Sequence, residues 1–247
     1  MLLKGRNKYD MYRVMKSNIK LAPYLPETKT WSQETFLNML NKYKSIVVKP
    51  NSGSLGRDVY FIYKKKTNYV IRVNKKRLVY PNVDAVCSYM KNIVGDKKFI
   101  IQKEIKLATI DNRRFDFRII VQRRTRKKPW QVTGIIARRG GKGYKVTNRS
   151  RRGVALHLDV AMEKLNISGQ AKTALVEEIK KVAIDASETL GKSFPKQRIF
   201  GVDIGMDQEG NLHIFELNRW PLLGGFKSLK DQSQYELIMK IKGKKKR

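Results

Sequence analysis

Two segments decide the fold: Ile199-Phe200-Gly201-Val202-Asp203-Ile204-Gly205-Met206 and Leu212-His213-Ile214-Phe215-Glu216-Leu217-Asn218. Between them lies the polar turn Asp207-Gln208-Glu209-Gly210-Asn211. Two apolar runs around a glycine-bearing turn predict a β-hairpin. Asp203 interrupts the first run, and a buried, unpaired carboxylate is costly unless a cation or donor meets it. Strand side chains alternate, so Glu216 and Asn218 share a face. Closing the hairpin sets residue 203 opposite 215 or 216, and Asp203, Glu216 and Asn218 can converge. Two readings are open. Hard oxygen ligands with one amide suit Mg²⁺, which takes few carboxylates plus nucleotide phosphates. Alternatively, the carboxylates are satisfied by arginine.

A second segment tips the balance towards metal. Ser45-Ile46-Val47-Val48-Lys49-Pro50 reads as a strand, followed by Asn51-Ser52-Gly53-Ser54-Leu55-Gly56-Arg57-Asp58 and a second strand from Val59 to Tyr63. No Gly-Lys-Ser/Thr ends the loop, so it is not a Walker A loop, and it is not a dinucleotide fingerprint. It is the tip of a hairpin, a flap. Gly53 and Gly56 let backbone N–H groups approach phosphate, Ser52 and Ser54 add hydroxyl donors, and Lys49 supplies a point charge. Alone, the loop is equally an ordinary Gly/Ser turn. In Arg113-Arg114-Phe115-Asp116-Phe117-Arg118-Ile119, Asp116 and Arg118 share a face opposite the aromatics. Arg118 either stabilises charge on a transferred phosphoryl group or forms a structural pair with Asp116.

Around these lie further elements. Residues 7–20 predict a helix with Tyr9, Tyr12, Met15 and Ile19 on one side. Ser32 caps a helix through Tyr43 with Phe36, Leu37 and Leu40 inward. Residues 69–80 read as strand, 84–94 as a helix stopped at Gly95, and 99–105, 115–122 and 131–137 as strands. The longest helix runs from Gly169 to Leu190, with Ser168 as cap, Gly191 as stop and Ile179, Val182, Ala186 and Leu190 in its apolar stripe. A last helix starts at Ser233 and frays into a basic tail at 242–247. The mixed order, rich in hairpins, predicts an α+β fold rather than a doubly wound sheet. Arg123 to Pro129 reads as an exposed hairpin tip and Arg138 to Gly143 as a flexible cationic loop over the site. His157 and His213 form no zinc or catalytic pattern.

The formal net charge of the 247 residues is +33. The excess is regional: residues 113–152 hold 15 Lys or Arg and one acid, whereas 153–216 hold 10 acids and 7 bases. This points to a polyanionic partner contacted by residues 113–152, either an acidic peptide or polymer or nucleic acid. One cysteine, Cys87, excludes an internal disulfide. No signal-peptide stretch and no run of about 18 apolar residues is present, so a cytoplasmic protein without membrane insertion is expected.

Lys49 to Gly56, Phe115-Asp116-Phe117-Arg118, Gly201-Val202-Asp203 and Phe215-Glu216-Leu217-Asn218, in this order and spacing, resemble the ATP-grasp superfamily, most closely its YheC/YheD-like branch associated with spore coats. The likeness runs from Asn7-Lys8-Tyr9 to Asn218. It implies two α+β lobes, mostly antiparallel, gripping ATP: about 20–105 carrying the flap and about 106–230 carrying the metal. It further implies that Lys8 reaches the ATP phosphates and Lys49 the α-phosphate and adenine. The flap from Ser52 to Gly56 would cover the β- and γ-phosphates. The strand Gln102, Lys103, Glu104, Ile105 would hold adenine by its backbone. Arg118 would face the γ-phosphate, Asn148 would lie near phosphate and metal, and Asp203, Glu216 and Asn218 would ligate two Mg²⁺. The implied activity is ADP-forming carboxylate–amine ligation through an acyl phosphate. A phosphotransferase, or a polyanion-binding module on the same scaffold, are the alternatives. The superfamily usually carries an extra N-terminal substrate domain. This chain starts near the nucleotide-binding part, and Arg149 to Gly153 is more basic than in the branch. Both features imply an open or partner-completed site for an acidic substrate.

Overall fold

The computed structural model describes residues 2–53 and 56–243. The chain opens with helix α1, Lys8–Lys16, whose Asn7 cap accepts from the Asp10 N–H. Strand β1, Thr28–Thr30, precedes helix α2, Gln33–Tyr43, capped by Ser32 through the Thr35 N–H. The hairpin of β2, Ser45–Pro50, and β3, Tyr60–Lys65, carries the flap. Strands β4, Asn68–Val73, and β5, Lys76–Tyr80, lead to helix α3, Val83–Val94, and strand β6, Phe99–Lys103. These strands form one sheet ordered β1-β6-β2-β3-β4-β5, all neighbours antiparallel. Phe36, Met39, Leu40, Val86 and Met90 of the two helices pack on it.

The second half holds β7, Thr109–Ile110, β8, Arg113–Gln122, β9, Gln131–Arg139, and β10, Val154–His157. Helices α4, Leu158–Lys164, and α5, Gly169–Ser193, precede the hairpin of β11, Ile199–Met206, and β12, Leu212–Asn218. Short α6, Gly224–Lys227, and α7, Ser233–Lys242, close the fold. The sheet runs β10-β9-β8-β11-β12, again antiparallel, with β7 beside β8. Its apolar face takes Phe115, Phe117 and Ile119 into the main core with Ile179, Val182 and Leu190 of α5. Met11 and Met15 of α1 join that same core, so the N-terminal helix belongs to the second sheet's half. The α+β architecture is therefore as expected.

Several local expectations are corrected. The first helix ends at Lys16 with Ser17 as its C-cap, Ile19 is exposed and Met11 is buried, and a 3-10 turn follows at Ala22–Tyr24. Residues 69–80 are two strands, turned at Asn74 with φ 54°. Helix α5 runs through Gly191 to Ser193. An added Cβ there would sit 3.1 Å from the Trp130 ring, so that glycine permits close packing and stops nothing. Ser168 holds the N-cap position without a side-chain hydrogen bond. Lys242 ends α7, and residues 244–247 of the expected tail lie outside the described residues.

Candidate active site

A cleft of about 1100 Å³ lies between the sheets. Nine Lys and Arg side chains and four carboxylates line it among the described residues. Strand β11 reaches the cleft at Asp203, and glycines of the same strand lie two residues to either side of it. At one end Gly205 is packed by Phe215 and Leu107, where an added Cβ would lie 2.4 and 2.7 Å from their side chains. In the middle Asp203 pairs in register with Glu216 on β12 and Arg118 on β8. At the other end Gly201 is packed by Pro221, 2.5 Å from such a Cβ.

A bulge between Asp203 and Ile204 accompanies the pairing with Glu216. Asp203, Glu216 and Asn218 all line the cleft. Asp203, however, is held by two guanidiniums. Arg118 Nη2 donates to Oδ2 over 3.0 Å, and Arg138 Nη2 lies 3.1 Å from the same oxygen. Oδ1 is 2.5 Å from Arg118 Nε, yet both atoms are buried without a hydrogen-bonding geometry to any partner. Burial raises the Asp203 pKa, but Arg118 and Arg138 outweigh it and hold the carboxyl below the ordinary range. Arg138 also grips Asp116 through two bonds of 2.8 and 2.7 Å, and Thr147 Oγ1 donates to Asp116 over 2.7 Å. Arg138 is thus a part-buried member of the site on strand β9, not part of a flexible covering loop. The alternative reading of a structural Asp116–Arg118 pair does not hold: Asp116 pairs with Arg138 and Asp203 with Arg118. Sequence reasoning missed Arg138 because Gly140 and Gly141 beside it suggested a loop. Those glycines instead lie against backbone carbonyls of Arg114 and Arg151.

Lys49 Nζ donates to Gln102 Oε1 over 2.9 Å, and Gln102 Nε2 donates to Thr28 over 2.8 Å. Burial lowers the Lys49 pKa to about 8, against the opposing pull of Glu216. Lys8 Nζ donates to the Gly53 carbonyl at the flap and lies 3.8 Å from Glu216 Oε1. Burial lowers its pKa also, with Glu216 opposing. Gly53, Gly56, Gln102, Lys103, Ile105 and Asn148 line the cleft. Gly56 has φ 65°, and an added Cβ would sit 2.5 Å from the Asn148 side-chain oxygen, which fixes Asn148 against the flap. Ser52 is exposed, and Ser54 lies outside the described residues. The Lys103 N–H is already donated to the Glu27 carbonyl.

Beyond the expected residues, Glu104 is buried and paired with Arg114 at 2.6 Å and Lys145 at 2.9 Å, and bonded by Ser45. Lys145 Nζ also stands 4.9 Å from the centres of the Phe61 and Tyr63 rings. This group ties β2 and β3 of one sheet to β8 of the other. Nothing in its spacing betrayed it, since each residue is one of many charges in a basic chain.

The donor set fits Mg²⁺ with a polyphosphate. Among the described residues no three His, Cys, Asp or Glu form a metal cluster of their own. The carboxylate of Glu216 and the amide of Asn218 line the cleft beside Asp203, and hard oxygen donors of this kind suit a cation that draws its other ligands from phosphate, while Asp203 is ion-paired with Arg118 and Arg138.

Two antiparallel sheets, a hairpin flap and a charged cleft between them define an ATP-grasp fold. The "ATP-grasp ligase PsnB complexed with minimal precursor" superposes with a TM-score of 0.55 at 14% identity, covering 94% of this chain and 60% of that one. Residues 4–242 match the family described as YheC/D like ATP-grasp, and the chain belongs to it. It is 24% identical over 224 residues to the endospore coat-associated protein YheD of Bacillus subtilis (strain 168), covering 87% of this chain and 48% of YheD. To YheC of the same organism it is 22% identical over 220 residues, covering 87% of this chain and 60% of YheC. The chain thus spans about half to three-fifths of those relatives. Among the described residues no helix is long and apolar enough to cross a membrane.

Proposed function

We propose that the chain is an ATP- and Mg²⁺-dependent ligase that activates a carboxylate as an acyl phosphate for capture by an amine. The observation that carries this reading is the meeting, in one cleft, of Lys49 and Lys8 with Arg118, Asp203, Glu216 and Asn218. Excess cations there suit a triphosphate.

Asp203, Glu216 and Asn218 would hold the metal. Mg²⁺ bound to them would neutralise charge on the β- and γ-phosphates. Lys49 and Lys8 place point charges beside the polyphosphate, and the flap backbone around Gly53 and Gly56 closes over it. The base end is the apolar pocket of Val47, Phe61, Ile105, Leu107 and Phe215. Arg118 steadies the transferred phosphoryl group while Arg138 and Asp116 fix its surroundings. A carboxylate oxygen attacks the γ-phosphorus and the bond to the bridging oxygen breaks, releasing ADP. An amine then attacks the acyl carbon, phosphate leaves, and the amine's proton is lost as the amide forms. Flap closure keeps water from the acyl phosphate.

The substrate is an acidic or polyanionic chain. The charge of residues 113–152 supports this, although it is split: Arg114, Arg118, Arg138 and Lys145 line the cleft, whereas Lys142 and Arg152 are exposed. Glu216→Gln tests the whole reading. Mg²⁺-dependent ADP release should fall at least about a hundredfold with the fold retained by circular dichroism. Unchanged turnover in the variant would refute it. A parent protein without ATP turnover, binding polyanions with a steep salt dependence, would favour a binding module instead.

A further inference from the structure

The cleft continues past the residues that handle phosphate. Along β11 the order is Gly205 at the apolar base end, Asp203 in the middle and Gly201 at the far end, a span of about 13 Å at strand rise. At Gly201 the segment following β12 meets this strand. Pro221 packs on that glycine, and an added Cβ there would also lie 3.3 Å from Arg118 Nη1. Residues 219–223 therefore run beside the guanidinium assigned to the transferred phosphoryl group.

The side chains presented there are apolar. Trp220 is 58% exposed and Leu222 69% exposed, and Val154, at the start of β10, is 44% exposed. Nine large hydrophobics are exposed among the described residues, and these three line one cleft. Single exposed apolar residues need no explanation, but a group at the end of a functional cleft does.

The group is also held in place. The Arg219 guanidinium lies 4.4 Å from the Trp220 ring centre and 4.1 Å from that of Phe194, and it donates to the Gly5 carbonyl over 3.0 Å. Gly225 fits against Ile136, where a Cβ would lie 2.7 Å from its side chain, and seats α6 on the sheet. An indole fixed on a braced segment and still more than half exposed loses little freedom when a ligand covers it.

We propose that this end of the cleft is a side-chain platform: the substrate is a peptide carrying a bulky apolar or aromatic residue next to the carboxylate that reacts, and that residue lies on Trp220 and Leu222. This rests on the reading that the cleft activates a carboxylate, and it adds what that reading lacks. Charge draws an acidic chain to the mouth, while apolar contact sets which residue stands beside Arg118.

The test compares two labelled, blocked pentapeptides of equal charge, Glu-Glu-Phe-Glu-Glu and its counterpart with central alanine. Binding to the full chain is read by fluorescence polarisation with a non-hydrolysable ATP analogue and Mg²⁺. The phenylalanine peptide should bind about tenfold tighter or more. Trp220→Ala and Leu222→Ser, both at exposed positions, should each shrink that ratio to about twofold or less. A native ratio near one, a ratio unchanged in both variants, or no binding of either peptide would overturn the proposal. Peptide discrimination needs no turnover, so the two readings fail separately. ATP turnover without discrimination sinks the platform and leaves the ligase. Trp220-dependent discrimination without any turnover sinks the ligase and leaves a peptide-recognising cleft.

Discussion

Arg118 and Asp203 face each other in register on adjacent strands, with Nε and Oδ1 2.5 Å apart and Nη2 bonded to Oδ2 over 3.0 Å. Arg138 joins the same carboxylate from β9 and carries Asp116 with it. Two guanidiniums are thus balanced by two carboxylates in the cleft. Removing one carboxylate strands buried positive charge.

Asp203→Asn should therefore destabilise the fold by about 3–5 kcal/mol. Urea unfolding should show the lower midpoint with little change in slope. A loss below about 1 kcal/mol would mean that the pair contributes little beyond its own desolvation.

Lys49 gives a pH signature. Its folded pKa of about 8 lies below the ordinary 10.5, so at neutral pH burial of the charged amine costs the fold about 3 kcal/mol. The unfolded chain holds that proton up to higher pH. Stability from this group should therefore rise as pH climbs from about 8 towards 10.5. Nucleotide affinity should run the other way and fall above about pH 8 as the charge facing phosphate is lost. Titrations with a fluorescent ATP analogue between neutral and alkaline pH check this, and Lys49→Met should abolish the alkaline fall.

Glu104 is pushed up by burial, but Arg114 and Lys145 dominate and hold its carboxyl below the usual range. Its stabilisation is present above the unfolded carboxylate pKa and is lost as pH falls through the folded value. Glu104→Gln should remove it at neutral pH, costing about 3 kcal/mol by leaving Arg114 and Lys145 unneutralised. Thermal unfolding at neutral and acid pH should show native and variant converging in acid.

Gly201→Ala tests the packing of the segment after β12. A methyl would meet Pro221 at 2.5 Å, so overpacking should cost about 1–3 kcal/mol. Displacing Pro221 should also lower ATP turnover more than ATP binding, measured by steady-state kinetics against nucleotide titration.

The sequence by itself determined the elements and the residue types of the site. The hairpin around 207–211, the flap between β2 and β3 and the cap at Ser32 are local, set by alternation, turn chemistry and capping. The short turn narrowed the partner of Asp203 to residue 215 or 216, and the bulge between Asp203 and Ile204 accompanies the choice of Glu216. Only the tertiary structure decided which charges pair. Arg138 reaches Asp116 and Asp203, and Glu104 reaches Arg114 and Lys145, across strands from distant parts of the chain. In a chain with 54 Lys and Arg, composition offers each carboxylate many partners. Burial and strand order choose among them, because desolvation penalises every charge left without a partner.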